Sequence, residues 1–174
     1  MADNGTTPEV ESFIAFYAAE YRAVLTFAAT LCRDLHASED LTQDAFLAAQ
    51  RRWEELRRFD RPDLWVRRVV ANRSVSRWRR LVSDERRIRK LAELRQSSRD
   101  QSSARDEVDV WRLVRQLPAR QAQVIALTYL EDRSLADVAA VLGIGVETVK
   151  THLQRGRAAL ARAIEHEEDT EDAQ

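Results

Sequence analysis

A chain of 174 residues, 44% hydrophobic and 33% charged, has apolar material for one or two small cores but no apolar run that approaches a membrane span. Its single cysteine, Cys32, excludes an internal disulfide and a cysteine-based zinc site, while four glycines and three prolines leave little turn material. The net charge of −1 hides an asymmetry: residues 1–50 carry two arginines against eight acids, and residues 51–90 carry fifteen basic residues against six acids. So basic a stretch suits phosphate, and so acidic a one suits a basic protein surface. No run alternates apolar and polar residues convincingly, so the expected class is all-α, as two small helical domains. The opening MADNGTTPEVES lacks the basic and apolar parts of an export signal, which points to a cytoplasmic protein without membrane insertion.

The first helical pattern covers about 9–33, with Phe13, Phe16, Tyr17, Tyr21, Val24, Leu25, Ala28 and Leu31 on one stripe and Cys32 in the same packing. Ser38 reads as the N-cap of a second helix running to about Leu56. Leu41, Ala45, Phe46 and Ala49 form its apolar side; Asp40, Gln43 and Asp44 lie on the other. After a break at 59–62, a third helix runs from about Asp63 into the eighties. In it Arg68, Asn72, Ser76 and Arg80 recur every four residues as a polar strip, with Trp65 and Trp78 close by. Arginine interleaved with aromatics suits single-stranded DNA, where the guanidinium holds the backbone and the indole stacks on a base; a core position suits each tryptophan equally well.

The first domain is thus expected over 9–92, followed by a polar, serine-rich flexible linker at 93–106. A second domain at 107–165 opens with Val110, Leu113, Val114 and Leu117 on one stripe and Pro118 as the first residue of the next helix. Residues 166–174 form an acidic tail. His36, His152 and His166 are scattered singly and read as surface residues, so neither a metal nor a cofactor is expected, and no residues form a nucleophile–base pair.

Residues 134–160, SLADVAAVLGIGVETVKTHLQRGRAAL, read as a short helix, a glycine turn and a longer helix. Ser134 and Asp137 give the first helix an N-terminal capping pattern, and Leu135, Val138, Ala139 and Leu142 its core stripe. Gly143 supplies the left-handed residue that ends it. In the second helix Val149, Leu153, Gly156, Leu160 and Ile164 form the inner stripe. Lys150, Thr151, Gln154, Arg155 and Arg157 on the outer side are donors suited to base edges and phosphates, with Glu147 the one acid. The arrangement is that of a helix-turn-helix; an ordinary helical hairpin shares the spacing but does not account for that outer face.

Three motifs in this order resemble the extracytoplasmic-function sigma factors of the sigma-70 superfamily, in particular their actinobacterial sigma-E-like members. SEDLTQDAFLAA is similar to their region 2.2, WVRRVVANRSVSRWRR to region 2.4, and RQLPARQAQVIALTYLEDRSLADVAAVLGIGVETVKTHLQRGRAAL to region 4. The resemblance implies a factor that binds core RNA polymerase and promoter DNA, with an anti-sigma factor as a further possible partner. It assigns Asp40, Gln43 and Asp44 to the polymerase coiled coil. It assigns Trp65, Arg68, Asn72, Ser76 and Arg80 to the −10 element, and Lys150, Thr151, Gln154, Arg155 and Arg157 to the −35 element. Ser76 stands where many relatives have aspartate, Gln50 where many have tryptophan, and Gly145 where a serine often caps the recognition helix. The main alternative from the residues is a helix-turn-helix regulator that binds an operator as a dimer.

Overall fold

The computed structural model describes residues 12–32, 34–75 and 110–171, with side chains to 167. Among the described residues every regular element is a helix. Helix α1 (Phe13–Leu31) starts where the Ser12 hydroxyl accepts from the Ala15 amide, and it buries Phe16, Val24, Phe27 and Ala28. Helix α2 (Leu35–Arg51) packs along it. Its cap is Asp34 rather than Ser38: the carboxylate accepts from the amides of His36 and Ala37, each at 3.2 Å. Starting one turn earlier buries Ala37 and Ser38, and the Ser38 hydroxyl then donates to the Asp34 carbonyl at 2.9 Å.

A single turn, α3 (Trp53–Leu56), folds Trp53 back on Phe13 and Phe16, with ring centroids 5.6 and 5.0 Å away. Helix α4 is described over 62–75 and opens on Pro62, whose fixed φ and missing amide suit a first turn. Its inner side buries Val66, Val70 and Ala71.

The second half begins with α5 (Val110–Val114) and α6 (Ala119–Ile125). Pro118 lies just outside α6 as its cap rather than inside it, and its carbonyl accepts from Gln121 at 2.8 Å and Ala122 at 3.1 Å. Helix α6 runs directly into a π turn, Ala126–Leu130, in which the Glu131 amide reaches the Ala126 carbonyl five residues back. Every residue from Ala122 to Leu127 is buried, which marks a helix enclosed on all sides.

Helix α7 (Leu135–Leu142) is capped as its sequence indicates: the Ser134 hydroxyl accepts from Asp137, and Gly143 closes the end at φ +65°. Helix α8 (Val146–Glu171) crosses α6 closely because Gly156 has no Cβ; one placed there would lie 3.1 Å from Ile125. It continues through Glu171, so the acidic segment expected from 166 begins inside a helix, and Glu167 is paired with Arg112 of α5.

The two halves are in contact and share one core. Phe27, Leu56, Val66 and Val70 from the first belong to the same buried cluster as Val124, Leu127, Val138 and Leu142 from the second. Burying a side chain of this size contributes about 1.5–3 kcal/mol. The expected linker at 93–106 lies outside the described residues.

Candidate nucleic-acid interface

The outer face of α8 follows from where its inner face goes. Val149 and Gly156 are buried, while Leu153, Leu160 and Ile164 are half-buried, so the helix presents its opposite side to solvent. Lys150, Thr151, Gln154, Arg155 and Arg157 are all exposed there. Glu147 organises the start of the face: its carboxylate holds the Lys150 ammonium at 2.7 Å, and its carbonyl accepts from the Thr151 hydroxyl at 3.0 Å. Lys150, Gln154 and Arg157 line a shallow depression together with Leu153. His152, expected at the surface, is half-buried.

On α4, Arg68 and Asn72 are exposed one turn apart. Ser76 and Arg80, the rest of the expected strip, lie outside the described residues, as does Trp78. Trp65 is half-buried against the core, and the Arg52 guanidinium sits 5.7 Å above its ring. A cation already covers the indole, so Trp65 is part packing residue and part surface. Arg68 is engaged as well, since its guanidinium donates to the carbonyls of Ala140 at 2.6 Å and Val141 at 3.4 Å, at the end of α7. Those carbonyls belong to the last turn, where a helix leaves acceptors unpaired and the dipole favours a cation.

Asp40, Gln43 and Asp44 are exposed together on α2, beside Leu47 and Gln50. Asp44 forms an ion pair with Arg73 of α4, which links the acidic face of α2 to the helix carrying Asn72.

An arginine adjoining the expected strip has a different place. Arg67 has 1% of its side chain exposed. It pairs with Glu131, which follows the π turn and is 4% exposed, and donates to Glu20 of α1 at 2.8 Å and to the Asp63 carbonyl at 3.2 Å. Arg133 reaches Asp63 at 2.9 Å, and Arg61 bridges Asp63 at 3.0 Å and Asp137 of α7 at 3.2 Å. Burial pushes the Asp63 carboxyl upward, but the hydrogen bond from Arg61 and the charges of Arg133, Arg61 and Arg67 outweigh it and hold the group below the usual carboxylate value. Burial opposes the charge on Arg67 too, and the bonds to Glu131 and Glu20 more than restore it. Sequence reading missed this cluster. The signal for it was an arginine next to Val66 and Val70 on the inner side of α4, where a charge requires a partner.

A helix-turn-helix with an exposed cationic face, joined to a second helical unit that carries an acidic face and a polar strip, defines a two-unit helical DNA-binding protein. Residues 16–83 match sigma-70 region 2 and residues 107–160 match sigma-70 region 4. The RNA polymerase sigma-E factor of Streptomyces antibioticus is 30% identical over 141 residues, covering 75% of this chain and 78% of that one. Its counterpart from Streptomyces coelicolor is 29% identical over 170 residues, covering 92% and 96%. The chain belongs to the sigma-70 family of RNA polymerase sigma factors, in its extracytoplasmic-function group. The sigma factor RpoE of Bartonella quintana, solved in complex with the anti-sigma factor NepR, shares the fold at a TM-score of 0.69 and 22% identity, covering 90% of this chain and 98% of that one. Among the described residues no helix is long and apolar enough to cross a membrane.

Proposed function

We propose that this chain initiates transcription by division of labour among three surfaces. The acidic face of α2, with Asp40, Gln43 and Asp44, docks on a basic surface of core RNA polymerase. The strip on α4, with Arg68 and Asn72 and continuing in sequence to Ser76 and Arg80, takes the −10 element and holds separated bases, with Trp65 at its edge. The outer face of α8 enters the major groove at −35, where Lys150, Thr151, Gln154 and Arg155 face base edges and Arg157, nearer the flank, faces phosphate.

The observation that carries this reading is the exposure of acidic and cationic faces on separate helices of one chain that matches both sigma regions. Melting costs roughly 1.4 kcal/mol for each stacking step, which captured bases and backbone contacts must offset. The chain supplies binding and strand separation in the cytoplasm, and bond formation belongs to the polymerase. An anti-sigma factor is a fitting partner, since the Bartonella protein was solved in complex with one.

The test is reconstitution of the full chain with core polymerase on a promoter library, followed by sequencing of the transcripts. Defined start sites sharing −35 and −10 motifs are expected. Duplex binding as a dimer, with no polymerase-dependent transcript, would favour the operator-binding regulator instead.

A further inference from the structure

We infer that Glu147 is itself a base reader: with Lys150 it forms a couple that recognises one C·G pair of the −35 element, the carboxylate on cytosine and the ammonium on guanine. This rests on the assignment of the outer face of α8 to the −35 major groove, and adds to that face a residue that determines specificity.

Opposite the buried pair Val149 and Gly156, a row formed by Glu147, Thr151, Gln154 and Ala158 lies within about 40° of the outward direction, and all four residues are exposed. The cations stand on its flanks, Lys150 and Arg157 roughly a quarter-turn to one side and Arg155 to the other. A helix seated in the major groove turns its middle row to the base edges and its flanks to the two phosphate backbones, and its N-terminal residues meet the bases. Glu147 is the second residue of α8, and its side chain is 85% exposed. Between Val146 and Ile164 it is the one acid in the sequence.

An acid at that place is repelled by every phosphate, so the partner DNA offers it is an amino group on a base edge. In the major groove these are N4 of cytosine and N6 of adenine, whereas guanine O6 and thymine O4 would set acceptor against acceptor. Lys150 narrows the choice. Its Nζ lies 2.7 Å from Oε1 of Glu147, a donor and an acceptor side by side at hydrogen-bond spacing. A C·G pair presents the complementary couple, N4 of cytosine and O6 of guanine, at the same kind of spacing, because those two atoms are themselves hydrogen-bonded. The ammonium has three hydrogens, so with one on Glu147 it can still donate to O6 and N7 of the guanine. An A·T pair offers N6 and O4 in the same order but carries the thymine methyl where guanine carries N7, so it ranks second. On the strand facing Glu147 the order is therefore cytosine, then adenine, then guanine and thymine. A carboxylate also suits the first turn of a helix, where the dipole favours an anion, but that role carries no base preference.

The test presents the full chain, bound to core polymerase, with promoter duplexes randomised across −35 over a fixed −10 element, and sequences the duplexes retained. The wild type should favour cytosine over guanine or thymine at one position by roughly ten- to a hundredfold. Glu147→Ala should bring the four bases to near parity at that position and leave the preferences elsewhere in place. Glu147→Gln, whose amide suits adenine, should move the optimum there from cytosine to adenine. Lys150→Ala should still reject guanine and thymine but lose the advantage of cytosine over adenine. Melting temperatures are measured alongside. A lowered melting temperature for Glu147→Ala with unchanged base preferences reduces Glu147 to a helix-dipole role and overturns the proposal. A uniform rise in affinity for all sequences, the mark of a like charge removed, overturns it too. If the wild-type complex shows no base preference across −35, and Arg155→Ala alters nothing there, the assignment of α8 to that element fails and the proposal falls with it.

Discussion

Gly156→Ala is expected to destabilise the second half, although the same change in an ordinary helix interior stabilises by about 1 kcal/mol. The new Cβ would lie 3.1 Å from Cγ1 and 3.4 Å from Cδ1 of Ile125, and 3.5 Å from Cβ of Gln121. Comfortable carbon contacts are about 3.5–4.0 Å, so α8 or Ile125 must give by several tenths of an ångström. Ile125 has little room: it is 2% exposed and held by Val114, Leu117 and Ala122. Overpacking of this kind costs about 1–3 kcal/mol, which leaves a net loss of about 0–2 kcal/mol after the propensity gain. Urea denaturation of Gly156→Ala, Ile125→Ala and the double variant gives the magnitude and the coupling. The double variant should be more stable than the sum of the singles predicts, because the Cβ enters the space that Ile125 vacates. A gain of about 1 kcal/mol for Gly156→Ala alone, with no coupling, would refute the close crossing and with it the stated orientation of the α8 outer face.

Asp40→Arg should weaken co-purification with core polymerase while leaving the melting temperature unchanged; Asp40 is the cleaner probe because Asp44 is already paired with Arg73. Arg155→Ala should lose about 1–3 kcal/mol of discrimination at −35 if its contact to guanine is bidentate. Arg157→Ala should weaken all sequences alike and lower the salt slope by about one, both read from binding titrations on matched and mismatched duplexes. Asn72→Ala should reduce permanganate reactivity near −10 more than it reduces closed-complex binding, and a pre-melted template should restore most of the activity. The Asp63 carboxyl is held below its usual value, so its contribution to stability is fully present above about pH 4 and is lost as the pH falls through its lower folded value. The stability difference between wild type and Asp63→Asn should therefore be constant from about pH 8 to 5 and shrink on further acidification.

What the sequence disclosed is what local geometry decides. The Ser134 cap, the Gly143 turn and the buried positions of Val149 and Gly156 follow from spacings within a few residues, and each is found as expected. Ser38 misled because Asp34, one turn earlier, is an equally good capping residue, and only burial of Ala37 and Ser38 chooses between them. Trp65 was ambiguous for a real reason: it is half-buried, with Arg52 over its ring. The joint between the halves was illegible because its partners are far apart in sequence. Arg67 and Glu131 are separated by 64 positions, and no periodicity records such a pairing.

The π turn at Ala126–Leu130 has a consequence for which length changes the chain tolerates. Its hydrogen bond spans five residues where an α-helix spans four, so the segment carries one residue more than an α-helical path would need. Deleting a single residue there would let the segment close as an ordinary α-turn through nearly the same rotation, because the residue lost is the one that the wider turn accommodates. Glu131 would then stay beside Arg67, and α7 and α8 would keep their orientation. Loss of one residue from the regular part of α6, which has no such slack, would by contrast turn everything that follows by about 100°.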